Sequence, residues 1–141
     1  MKLEDFLKNL EKNKNTNSRF DFLIGNKISD VDIYTFEKEN NLKIPTKIVD
    51  FTQVVNGLKT ENPSFELIDF KDWIVIDQKI HFATFDKNHK VVFDISTLNS
   101  AEEWTILNYN TGYEITLSIS SFWSNKIWHW IKYSKKIWGD N

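Results

Sequence analysis

Cysteine is absent from the 141 residues, which excludes disulfides, thiolate catalysis and cysteine-based zinc sites and suits a reducing compartment. Arginine is nearly absent too. Of 18 basic residues only Arg19 is not lysine, a poor set for phosphate or base recognition, where guanidinium forks bind bidentately. The four glycines are scattered at 25, 57, 112 and 139, so no glycine-rich phosphate loop exists. Long apolar runs are missing as well. The opening MKLEDFLKNLEKNKN carries acids early and lacks the apolar core of a signal peptide, so it reads as neither leader nor membrane span, and the expected location is the cytoplasm.

What remains suits one α+β domain over residues 1–141, long enough to bury roughly two thirds of its unfolded surface. Aromatic residues make up 15 % of the chain, with six tryptophans, and supply the core. The net charge of −2 is uneven: +1 over residues 1–60, −6 over 61–115 and +3 over 116–141. The acidity therefore falls on the middle of the chain, where the strands are expected.

Residues 28 to 57 carry the most complete local signals. Ser29 and Asp32 have the spacing of a capping box, with Ile28 and Ile33 placed as a hydrophobic staple, so a helix starts at Asp30. Ile33 and Phe36 share its inner face, Asn41 takes the left-handed position at its end, and Leu42 folds back on Phe36. Ile44 before Pro45 is held extended, and Pro45 or Thr46 opens a second helix. That helix buries Ile48, Phe51, Thr52 and Val55 at i, i+3, i+4, i+7 and stops at Gly57.

Elsewhere the pattern is helix, strands, helix. Residues 3 to 12 form an amphipathic helix through Leu3, Phe6, Leu7 and Leu10. RFDFLIG is a loop or short strand that lays Phe20, Phe22 and Ile24 on the core, and residues 58 to 64 are a loop. PSFELIDF alternates on either Phe65/Leu67 or Ile68/Phe70, and DWIVID reads as a buried strand or an apolar loop. IHFATF and KVVFDI flank the turn residues Asp86-Lys87-Asn88-His89, and WTILNY and YEITLSI flank Asn110-Thr111-Gly112, giving two hairpins. In the last strand Tyr113, Ile115, Leu117 and Ile119 alternate with polar residues. A final helix is capped by Ser120 or Ser121, with Trp123, Ile127, Trp130, Ile131 and Ser134 on one face, Trp138 continuing it, and Trp128 and Phe122 off it. The whole is an antiparallel meander between N-terminal helices and a C-terminal helix.

Read together, Ile33, Phe36-Glu37, Ile44-Pro45, Phe51 and Asn56-Gly57 resemble the opening signature of the SUKH superfamily, immunity proteins related to the yeast Smi/Knr cell-wall regulator. Phe82, Phe93-Asp94, Trp104 and Ser121-Phe122 resemble its second half, so the likeness covers about residues 28 to 133. Ile44 stands where the family has leucine, Ile48 where an aromatic is common, Thr52 where it has leucine, and Ala83-Thr84 lacks a frequent glycine. The resemblance implies the SUKH (Smi/Knr-like) fold. It also implies a cytoplasmic protein that binds and neutralises a cognate polymorphic toxin, often a nuclease, with a non-catalytic regulatory or scaffold role as the alternative.

Chemistry is harder to find. His81 and His89 lie near Asp86 and Asp94, but turn propensity and strand alternation explain those positions better than a metal site does. Ser120-Ser121 suits a helix cap, and Glu102-Glu103 are adjacent and point apart, so no catalytic residue, metal or cofactor is assigned. A toxin with a cationic substrate groove would be steered to an acidic sheet. The candidate contacts are Asp69, Asp72, Asp77, Asp86, Asp94, Glu102, Glu103 and Glu114, with Trp73 and Trp104 as aromatic anchors. The partners expected are therefore a basic toxin protein, with no direct nucleic acid and no membrane, around a monomer or weak dimer.

Overall fold

Ser29 closes the capping box from both sides: its Oγ accepts from the Asp32 amide at 3.2 Å, and its own amide donates to Asp32 Oδ2 at 2.9 Å. In this computed structural model, which describes residues 1–139, a 3-10 turn at Leu3–Asp5 leads into α1 (Phe6–Thr16), and β1 (Asp21–Leu23) follows. The boxed helix is α2 (Asp30–Asn40), and α3 is Thr46–Val54. Asn41 ends α2 at φ 50°, and the Leu42 amide turns back to the Glu37 carbonyl at 3.0 Å. The Glu37 carboxylate accepts from the Ile44 amide at 2.7 Å, which fixes the bend into Pro45 and α3. One expectation fails here. α3 ends at Val54 because Val55 is already extended at φ −128°, so Gly57 is not its cap. Gly57, at φ +66°, instead meets Gly25, where an added Cβ would lie 2.8 Å from the Asn56 carbonyl oxygen.

Seven further strands complete the sheet: β2 (Lys59–Glu61), β3 (Phe65–Leu67), β4 (Val75–Ile76), β5 (Lys79–Phe85), β6 (His89–Asp94), β7 (Thr105–Asn108) and β8 (Glu114–Thr116). Their order is β1-β2-β3-β5-β6-β7-β8, all antiparallel, with β4 on β5 below β3. Both expected hairpins form. Asp86 and Lys87 turn the β5–β6 hairpin at φ 50° and 65°. β2 lies where a loop was expected, since only Thr60 of its three residues faces inward and no alternation reveals it. β3 buries Phe65 and Leu67, which settles the ambiguous face of PSFELIDF. In β8 only Ile115 is buried, and Tyr113 and Leu117 stand exposed on either side.

The C-terminal helix departs most from its pattern. Ser118, not Ser120 or Ser121, is the cap, its Oγ accepting from the Ser121 amide at 3.1 Å. From there α4 (Ile119–Ser121) passes through a π turn (Phe122–Lys126) into α5 (Ile127–Tyr133). The π turn inserts a residue into the helical phase, so Phe122, Trp123, Ile127, Trp128, Trp130 and Ile131 are all buried. Trp128 is therefore core, 5.3 Å from Phe6, whereas Ser134 is exposed and ends the helix at φ 53°. Trp138 does not extend the helix but folds back, fully buried, on Phe85 and Trp130.

The core lies between the helices and one face of the sheet. Phe51 links α3 to both ends of the chain, edge-on to Phe6 at 6.0 Å and stacked on Trp123 at 6.5 Å. Removing its ring leaves a cavity at this junction, so Phe51→Ala should destabilise the fold by about 3 to 5 kcal/mol in denaturant titrations.

Candidate partner-binding surface

Among the described residues the helices pack on the inner face of the sheet, and the outer face is shaped by an irregularity in β5. Its register with β6 shifts between His81 and Ala83, so Phe82 and Ala83 are both buried while His81 and Thr84 both face outward. His81 Nε2 lies 3.0 Å from the Ala83 carbonyl oxygen and 2.9 Å from Thr84 Oγ1. A carbonyl only accepts, so Nε2 carries the proton and Nδ1 is left as an acceptor.

Beside His81 is a hollow of about 260 Å³. Its apolar walls are Ile68, Ile74, Ile76 and Val92, and its rim carries Asp72, Asp77, Lys79, Lys90 and Tyr109. Ile74 and Ile76 are 64 % and 62 % exposed, unusual for adjacent branched residues around a strand. They belong to DWIVID, expected as a buried strand or an apolar loop; only Val75–Ile76 forms a strand. The run of apolar residues was visible in the sequence, but nothing in it told exposure from burial.

The ten residues expected to touch a partner do not form one patch. Trp73 and Trp104 are 7 % and 3 % exposed and pack on Phe93, each at 5.7 Å, so they are core residues and not anchors. The Trp73 indole is further held by donating to the Ile68 carbonyl at 3.2 Å. Glu103 is also buried, because its Oε1 accepts from the Ile119 amide at 2.9 Å and so anchors the start of α4. Asp69 and Asp94 are half-buried with local duties. Asp69 Oδ1 accepts from the Lys71 amide and from Asn56 Nδ2, and Asp94 Oδ1 accepts from the Ser96 amide and hydroxyl.

Five acids are exposed: Asp72, Asp77, Asp86, Glu102 and Glu114. Asp72 and Asp77 rim the hollow, Asp86 is in the β5–β6 turn, Glu102 is in the β6–β7 connection and Glu114 is on β8. None joins an ion pair: among the described residues these are Lys8–Asp5, Lys14–Asp21 and Lys59–Glu66. Among the described residues, too, no group of three or more His, Cys, Asp or Glu side chains is placed to hold a metal, and no helix is long and apolar enough to cross a membrane. Compared with protein-family models, curated proteins and solved structures, the chain matches none.

Glu103 and its neighbour separate a structural carboxylate from a surface one. Glu103→Ala strands the buried Ile119 amide and should lower stability by about 1 to 3 kcal/mol, whereas Glu102→Ala should stay within about 0.5 kcal/mol, both read from chemical denaturation. Burial pushes the His81 imidazole below its ordinary value and Lys90 adds to this, against the Ala83 carbonyl bond and Glu66. The folded state thus holds His81 neutral while the unfolded chain takes up a proton near pH 6.5. Its contribution is full above that pH and is lost as pH falls towards the lower folded value. An NMR titration should place the His81 midpoint below about 6.5, and a midpoint at or above it would contradict this burial.

Proposed function

We propose that this chain is an immunity protein of the SUKH type, which binds and neutralises a cognate toxin by protein–protein contact and performs no chemistry itself. The observation that carries the reading is the set of exposed carboxylates on the strand-bearing part of the chain, Asp72, Asp77, Asp86, Glu102 and Glu114, with no cation paired to any of them among the described residues. Unpaired surface acids draw a cationic partner from a distance and accelerate encounter, and they do so without spending the charge on internal contacts. A nuclease toxin, which must hold a polyanion, presents such a cationic surface.

The residues behind the SUKH resemblance support it through what they do. Glu37 fixes the α2–α3 bend, and Asn56 ties distant loops together, donating to the Asn26 carbonyl at 2.7 Å and accepting from the Phe70 amide at 2.8 Å. Gly57 allows the close crossing with Gly25.

Association of the purified protein with the products of the genes next to its own tests the reading. The on-rate should fall as salt rises, and neutralising Asp86→Asn, Glu102→Gln and Glu114→Gln together should slow it by about tenfold at low salt without lowering the melting temperature. An on-rate indifferent to both salt and these substitutions would remove the electrostatic basis of the proposal.

A further inference from the structure

We infer that Asn56-Gly57 is a modification site that the fold guards: it cyclises with loss of ammonia only when the crossing of the chain at Gly25 opens, and the product keeps that crossing from re-forming. It is the one Asn-Gly pair in the sequence. A glycine after asparagine leaves the backbone nitrogen unhindered and the chain free to turn it onto the side chain. In the opened chain the Gly57 nitrogen attacks Asn56 Cγ. A nitrogen–carbon bond forms, the Cγ–Nδ2 bond breaks, and Nδ2 leaves as ammonia with the proton given up by Gly57. Water then opens the cyclic imide at either carbonyl, giving aspartate or its β-linked isomer, in which the main chain runs through the side-chain methylene.

The folded chain withholds the geometry that this attack needs. Asn56 is 4 % exposed, and its carboxamide is held from both sides. Nδ2 donates to the Asn26 carbonyl at 2.7 Å and to Asp69 Oδ1 at 3.2 Å, while Oδ1 accepts from the Phe70 amide at 2.8 Å. The backbone is fixed as well, since the Asn56 carbonyl accepts from the Gly25 amide at 2.8 Å. Turning Cγ onto Gly57 breaks the side-chain bonds in a buried place, where a hydrogen bond left unmade is costly.

The product cannot rebuild what folding guards. An aspartate at position 56 sets a second carboxylate against Asp69, where like charges repel, and it has no proton to donate to the Asn26 carbonyl. The isomer lengthens the main chain at a crossing with no room for it, because a Cβ on Gly57 would already lie 3.3 Å from the Gly25 Cα. Conversion at Asn56 therefore turns a reversible opening of this crossing into a permanent one, whatever partner the protein binds.

Peptide mapping by mass spectrometry of the full chain, incubated at mildly alkaline pH both folded and in urea, tests this. In urea Asn56 should convert ahead of every other asparagine, and in the folded chain it should convert at least about a hundredfold more slowly. Asp69→Ala removes an acceptor from Nδ2 and should raise the folded rate about tenfold without changing the rate in urea, whereas Asp69→Asn, which keeps an oxygen there, should not. Chain converted in urea and returned to buffer should melt below chain carried through urea at mildly acidic pH, where the attack is slow. Equal rates folded and in urea, Asp69→Ala and Asp69→Asn alike in the folded state, or a converted chain that regains the control melting temperature would each overturn the inference.

Discussion

Phe122 is buried between the sheet and the C-terminal helix, within 6.4 Å of Phe65, 5.3 Å of Phe82 and 5.9 Å of Phe85, and the rest of the fold depends on that aromatic layer. The Phe82 ring in turn stacks on Phe93 at 3.7 Å, which carries the layer across two strands. Packing of this density is the main source of cohesion in a chain that has no disulfide to restrict its unfolded state. It is obtained through two one-residue insertions set against each other. The register shift in β5 buries Phe82 and Ala83 in succession, and the π turn does the same for Phe122 and Trp123. The first insertion has a second effect, since it leaves His81 and Thr84 together on the outer face and so shapes the hollow there. The interior and the open surface are consequences of the same distortion.

Those insertions also mark what the sequence could not disclose. The α2 cap, the Asn41 terminus, the Ile44-Pro45 bend and the β5–β6 turn depend on residues within a few positions of one another, and all were legible. Periodicity assumes an unbroken count of residues, so one π turn was enough to misplace Trp128 and Ser134. Gly57 was legible as a left-handed position but not as half of a contact with Gly25, because the partner lies more than thirty residues away. β2 was hidden because one inward threonine makes no pattern.

Surface chemistry was less legible than fold. Net charge by segment located the acids but not their roles, and Glu103 differs from Glu102 only because the Ile119 amide happens to lie within its reach. Trp73 and Trp104 have the composition of interface anchors and the positions of core residues. Conversely, Ile74 and Ile76 have the composition of core and the exposure of a contact surface. What remains on the outside is a dispersed acidic set and a hollow of mixed charge.

Growth of cells that express the neighbouring gene's product, with and without this chain, tests that account most directly. The product should arrest growth, co-expression of this chain should restore it, and the two should purify as one complex. A complex that forms without restoring growth would indicate a regulatory scaffold, and restored growth without any complex would contradict neutralisation by contact.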